Sequence, residues 1–130
     1  MIYLDTSAAA KLVHREAESP ALIGYLAGRV AIPLVSSVLI YPELVRAVSR
    51  HRPELADRAI ALTRRILTVP LSPDLVMAAA TVETPDLRTL DALHLATAMM
   101  MGSELDALLT YDKRLAGAAE SAGLPTAAPI

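Results

Sequence analysis

The chain has 130 residues, 54% of them hydrophobic and 20% charged, and its 12 basic and 14 acidic side chains leave a net charge of −2. That composition describes one ordinary folded domain, with no excess of positive charge to announce a polyanionic partner. The lack of cysteine excludes disulfide scaffolds, zinc fingers, iron–sulfur clusters and thiol catalysis and fits a reducing cytoplasm, and the lack of Phe and Trp disfavours modules that stack bases on aromatic platforms.

The opening Met-Ile-Tyr-Leu-Asp carries no basic n-region and reads as a structural strand, not a signal peptide. Ile2, Tyr3 and Leu4 form that strand, Asp5-Thr6-Ser7 a polar turn, and residues 8–13 a helix. Residues 21–26 tend to helix, 30–35 are a β-branched run read as the second strand, and Ser36 and Ser37 offer caps for a helix over 38–50. Pro42 is awkward there: it kinks a helix begun at Ser37 but suits the first turn of one begun near Tyr41. Pro53-Glu54 opens a helix with Leu55, Ala59, Ile60, Ile66 and Leu67 at helical spacing, and 66–71 then looks extended. Ser72-Pro73-Asp74 starts a helix through Val82, and Thr84-Pro85-Asp86 or Thr89 caps the next. In that helix Leu90, Leu93, Ala96, Thr97 and Met100 make one apolar stripe, and Gly102 stops it. Residues 107–111 form a strand, Asp112 caps a helix over 113–122 ended by Gly123, and 124–128 is a last edge strand. The longest uncharged stretch, 30–42, falls well short of the roughly 20 apolar residues that span a membrane. Strands alternating with helices predict a single α/β domain over 1–130, a parallel twisted sheet of about four to five strands with helices on both faces.

Ligands of open α/β sheets bind beyond the carboxyl ends of the strands, where strand order reverses. Asp5 ends the first strand and Asp112 follows the strand over 107–111, so the two are neighbours if those strands pair. Glu43 and Asp91 stand in the first turns of helices that open on the same edge. Each acid also has a structural use, Asp5 and Asp112 as caps and Glu43 and Asp91 as complements to helix dipoles. Four converging carboxylates, however, repel one another unless a cation neutralises them. A carboxylate donor set suits a hard ion, Mg²⁺ or Mn²⁺, and phosphate chemistry. His94, one turn after Asp91 on an apolar helix, reads as a residue packed beside the site, not a ligand.

Residues 1–8 (MIYLDTSA), Glu43 in a helix after Ser36-Ser37, residues 88–98 (RTLDALHLATA) and residues 110–115 (TYDKRL) resemble, in order, the motifs of PIN domains, specifically VapC-type toxins of prokaryotic toxin–antitoxin pairs. The resemblance implies an endoribonuclease dependent on Mg²⁺ or Mn²⁺, hydrolysing RNA with a metal-activated water and held inactive by a cognate antitoxin. It implies Asp5, Glu43, Asp91 and Asp112 as the metal-binding and catalytic acids, with Thr110 as their hydroxyl neighbour and Thr6 and His94 beside them. Pro42 next to Glu43 departs from the pattern. The resemblance also implies a cytoplasmic homodimer, with the apolar half over 22–67 as contact region for dimer and antitoxin. Without the four acids the chain counts 12 basic against 10 acidic residues, and Lys11, Arg46, Arg50 and Lys113 trail three of them as candidate contacts to RNA phosphates. Two other classes compete: a non-catalytic binding module whose acids only cap helices, and a Mg²⁺-binding receiver-type phosphoacceptor, which expects adjacent acids early where this chain has Thr6 and Ser7.

Overall fold

In the computed structural model, which describes residues 1–130, five short strands alternate with seven helices. Strand β1 (Ile2–Leu4) is apolar and wholly buried, as a central parallel strand covered on both faces must be. It is flanked by β2 (Leu34–Ser37) and β4 (Ala107–Leu109), with β3 (Leu67–Val69) and β5 (Thr126–Ala127) at the edges. All pairings are parallel in the order β3-β2-β1-β4-β5, and Ile2 faces Leu34 on one side and Ala107 on the other. The chain works outward from β1 in one direction, then returns to β4 and works outward in the other. The reversal therefore falls between β1 and β4. This is not the 2-1-3-4-5 order of receiver domains, and the phosphoacceptor alternative fails on topology.

The period of two along the strands sorts the core. Ile2, Leu4 and Leu109 pack with Ala8 of α1 (Thr6–Val13) and Leu22 of α2 (Ser19–Ala27). Tyr3, Val35 and Leu108 point to the opposite face and pack with α5 (Pro73–Ala80), α6 (Thr89–Met99) and α7 (Lys113–Ser121). Helices α3 (Ile40–His51) and α4 (Ala56–Thr63) join the first face, where Ile40, Leu44, Val48 and Ala59 enclose Ala9 and Val13 of α1. No helix is long and apolar enough to cross a membrane.

Four local expectations are corrected. Strand β2 begins at Leu34 and not at Val30, which is 86% exposed; residues 29–32 close α2 with turn hydrogen bonds, so β-branching there reflects no sheet position. Ser36 and Ser37 are strand residues: Ser36 Oγ donates to the Leu4 carbonyl at 2.6 Å, within the sheet, while Ser37 Oγ accepts the Leu39 N–H at 3.2 Å. Helix α3 accordingly starts at Ile40, and Pro42 lies in its first turn, where a missing N–H loses no helical bond. Neither Thr84 nor Thr89 caps α6, since Thr89 is already helical and Arg88 precedes it without a side-chain cap. Because α6 lies between the sheet and its neighbouring helices, 92–98 are buried all round, and two members of the predicted stripe, Leu90 and Met100, are 46% and 63% exposed. Ser72 caps α5 through the Leu75 N–H, as its sequence predicts. Gly123 ends α7 at φ +79°, where a side chain would be strained, and the following Leu124 N–H returns to the Ala119 carbonyl.

Candidate metal centre

Asp5 leaves the end of β1 beside β4, its N–H bonded to the Leu109 carbonyl at 3.2 Å. Its side chain is 3% exposed and caps α1 by accepting the Ala8 N–H at 2.9 Å. Two hydroxyls complete its shell. Ser7 Oγ donates at 2.7 and 2.9 Å to the two oxygens, and Thr110 Oγ1 donates to Oδ2 at 2.6 Å. Both hydroxyls donate there because an ionised carboxylate only accepts, and each also accepts a backbone N–H, Ser7 Oγ that of Tyr111 at 2.8 Å and Thr110 Oγ1 that of Asp112 at 3.1 Å. Burial raises the Asp5 carboxyl above its ordinary range, and the bonds from Thr110, Ala8 and Ser7 pull the other way.

Asp112 follows β4 and caps α7, its Oδ1 accepting from the Arg114 and Leu115 N–H groups at 2.8 and 3.0 Å. Its Oδ2 makes no protein hydrogen bond. Asp91 lies half-buried in the first turn of α6, and neither of its oxygens is hydrogen-bonded. Its carboxyl is raised above the usual range, first by burial, then by the charge of Asp112, with Asp5 and Glu43 adding to it. Glu43 stands in the first turn of α3 and gives Oε1 to His94 Nε2 at 2.7 Å, leaving Oε2 without a partner. Four acids separated in sequence thus share one electrostatic neighbourhood at the reversal point of the sheet.

The same residues serve folding and the site at once. Asp5 and Asp112 are caps as well as cluster members, so the two readings do not compete. Two participants are absent from the sequence-derived set. Ser7 binds both Asp5 oxygens, and its signal was its place in Asp-Thr-Ser at a strand-to-helix turn. Tyr3 reaches His94 across the sheet, and nothing in the sequence pairs them. Thr6 Oγ1 is buried without a hydrogen-bond partner. Among the basic residues, Arg46, Arg50 and Lys113 are exposed and form no ion pair, with Arg46 and Arg50 continuing the Glu43 stripe of α3. Lys11 differs: it is bound to Glu16 and Glu18 at 2.6 and 2.9 Å and lies over the Tyr111 ring.

The donor chemistry fits a hard divalent ion. Every candidate ligand is a carboxylate oxygen, and those of Asp91, Glu43 and Asp112 are in part unspent on hydrogen bonds. No three acidic or histidine side chains close into a cage of their own. That suits an ion such as Mg²⁺, which keeps several waters and takes one or two carboxylates plus phosphate oxygens. A cleft of about 760 Å³ lined by Asp86, Lys113, Arg114 and Gly117 adjoins the Asp112 end of α7. A second, apolar cleft of about 700 Å³ between α5, α6 and α7 holds none of the four acids.

Residues 2–121 match the family model of the PIN domain. Ribonuclease VapC35 of Mycobacterium tuberculosis is 41% identical over 131 residues, covering 99% of this chain and 97% of its own. Among solved structures, M. tuberculosis VapC20, described as a Sarcin-Ricin loop cleaving toxin, superposes with a TM-score of 0.79 at 18% identity over 99% of this chain and 100% of its own. VapBC2 of Rickettsia felis, solved bound to a DNA fragment from its promoter, gives 0.75 at 15% identity over 100% of both chains. The structural likenesses establish the shared fold.

Proposed function

The chain belongs to the PIN-domain family, and on that premise we propose that it is a Mg²⁺-dependent endoribonuclease, with Mn²⁺ an alternative ion, acting as the cytoplasmic toxin of a VapBC-type pair neutralised by a cognate antitoxin. The observation that carries this reading is that Asp5 and Asp112 follow the adjacent strands β1 and β4, where strand order reverses, with Asp91 close enough for the charges of Asp112, Asp5 and Glu43 to raise its carboxyl. The ribonuclease name of the 41%-identical relative supports the RNA substrate, and the VapBC2 neighbour supports a protein partner. Exposed Ile23, Val38, Tyr41 and Leu67 support the segment over 22–67 as the contact region for a homodimer and the antitoxin.

In this reading Asp5, Asp91, Glu43 and Asp112 form the acidic cluster that would draw the ion, one or two of them bound to it directly and the others through its waters. When bound there, a divalent cation lowers the pKa of water and offsets charge on the phosphate and the leaving oxygen. The chain's own residues keep the anions in place. Ser7 and Thr110 fix Asp5 against rotation, Thr110 also ties it to the Asp112 backbone, and the first amides of α7 hold Asp112. Arg46, Arg50 and Lys113 are free to bind phosphates on either side of the scissile one, and the cleft beside Lys113 and Arg114 offers a path for the strand. Lys11 takes no part because its charge is already spent on two glutamates.

The test is cleavage of total cellular RNA by the purified chain in excess chelator, then with Mg²⁺ or Mn²⁺ restored. Activity disappears in chelator, returns with either ion, and sequencing of the new ends gives the cleavage site. Full activity in chelator, or none with both ions, overturns the assignment.

A further inference from the structure

His94 is 1% exposed, and both of its ring nitrogens are engaged, Nδ1 at 2.6 Å from the Tyr3 hydroxyl and Nε2 at 2.7 Å from Glu43 Oε1. Tyr3 is wholly buried in β1, and its oxygen also accepts the Ser37 N–H at 3.0 Å. The two rings meet edge to face, centroids 5.8 Å apart and planes at 82°, so neither turns without disturbing the other. No other group bonds the Glu43 carboxylate, and without His94 a first-turn glutamate keeps the freedom of three rotatable bonds.

Hydrogen-bond accounting assigns the hydrogens. With Ser37 donating to the Tyr3 oxygen, the tyrosine O–H goes to His94 Nδ1. Were Nδ1 the donor, the hydroxyl hydrogen would have to leave this 2.6 Å contact for the neighbouring Ser36 or Thr97 hydroxyl, neither of which is hydrogen-bonded to it. Nδ1 therefore accepts, and Nε2–H donates to Glu43 Oε1.

We propose that Tyr3 and His94 are positioning residues, a buried relay from the central strand that fixes one imidazole tautomer, holds one oxygen of Glu43 and leaves the other for the divalent ion. The proposal rests on the metal-dependent reading above. Its test is Mn²⁺ affinity measured by calorimetry for the parent, His94→Leu, His94→Gln and Tyr3→Phe, each repeated with Glu43→Ala, beside ¹⁵N imidazole spectra that read the tautomer. Loss of a partner that orients a metal ligand weakens affinity by about 10–100-fold, the effect expected of His94→Leu. His94→Gln, whose amide can donate in place of Nε2–H, recovers most of it. Tyr3→Phe gives a smaller loss together with a change in the His94 spectrum. With Glu43→Ala none of the three has a further effect. Parent affinity in His94→Leu, an equal loss without Glu43, or a parent His94 carrying its hydrogen on Nδ1 overturns the relay and leaves the nuclease reading standing. A folded parent that binds no Mn²⁺ overturns both. Should His94→Leu not fold, Tyr3→Phe and His94→Gln decide the question by the same comparisons.

Discussion

Thr110→Val keeps the shape of a buried side chain and deletes the hydroxyl that joins two site acids. Thr110 is 1% exposed, donates to Asp5 Oδ2 at 2.6 Å and accepts the Asp112 N–H at 3.1 Å. A hydrogen bond to a charged group contributes about 1.5–3 kcal/mol, and the N–H left unpaired adds to the loss, so a cost of about 2–4 kcal/mol is expected. For 130 residues the unfolding entropy near the midpoint is about 0.27 kcal/mol per kelvin, which places the fall in Tm at about 7–15 °C. Thr110→Ser keeps the hydroxyl and should lose less than half as much. The cost also depends on pH. Thr110 favours ionised Asp5, whose carboxyl burial raises above 3.8, so the penalty is larger at pH 8 than at pH 4, where more of Asp5 is protonated. Melting by circular dichroism at the two pH values, beside a cleavage assay expected to fall about 10–100-fold, checks each part. A Thr110→Val protein melting within 2 °C of the parent, with parental cleavage, refutes the claim that this hydroxyl organises the acids.

Asp91→Asn removes a repelled charge that makes no hydrogen bond, so the metal-free protein should melt at an equal or higher temperature and lose nearly all cleavage. Mg²⁺ at a hundred times its Kd stabilises the parent by about 2.7 kcal/mol, roughly 10 °C here, and the variant by much less; an undiminished shift removes Asp91 from the ligand set. Because the folded carboxyls of Asp5 and Asp91 lie above the unfolded value of 3.8, the folded state holds protons that the unfolded chain has released. In chelator their contribution to stability is therefore present below about pH 4 and lost as pH rises through the raised values, and thermal melts from pH 4 to 8 should show that loss reduced in Asp91→Asn. Identical profiles for the two proteins would contradict the burial and repulsion assigned to Asp91. Arg46→Ala, Arg50→Ala and Lys113→Ala should each weaken RNA binding across sequences and lower the salt slope by about 0.7–1, while Lys11→Ala leaves it unchanged; a lowered slope for Lys11 returns that residue to the interface.

Local chemistry was legible in the sequence wherever a backbone demand has few solutions. The apolar Ile2-Tyr3-Leu4 run stops at a residue that can cap, Ser72-Pro73 starts a helix, and Gly123 ends one, because strand burial, capping and positive φ each select a short set of residue types. The order of these signals gave an alternating α/β chain, and the motifs gave the four acids. The edges of β2 and the start of α3 were not legible, because β-branched Val30 and the serines have the same propensities in a strand, a turn or a cap. Burial beside β1 decided between them. The all-round burial of α6 was hidden for the same reason: alanine is compatible with any helix face, and only packing between sheet and helices buries every one. The site divides along the same line. Position at strand ends and helix first turns, together with the PIN-like motifs, singled out Asp5, Glu43, Asp91 and Asp112 among 14 acids as candidate ligands for a hard cation. Their convergence, the two-way grip of Ser7 and Thr110, the diversion of Lys11 to Glu16 and Glu18, and the reach of Tyr3 through His94 to Glu43 were decided by tertiary structure. These contacts depend on β1 and β4 lying side by side and α6 crossing the sheet, and separations of up to 105 residues carry no local signal of either.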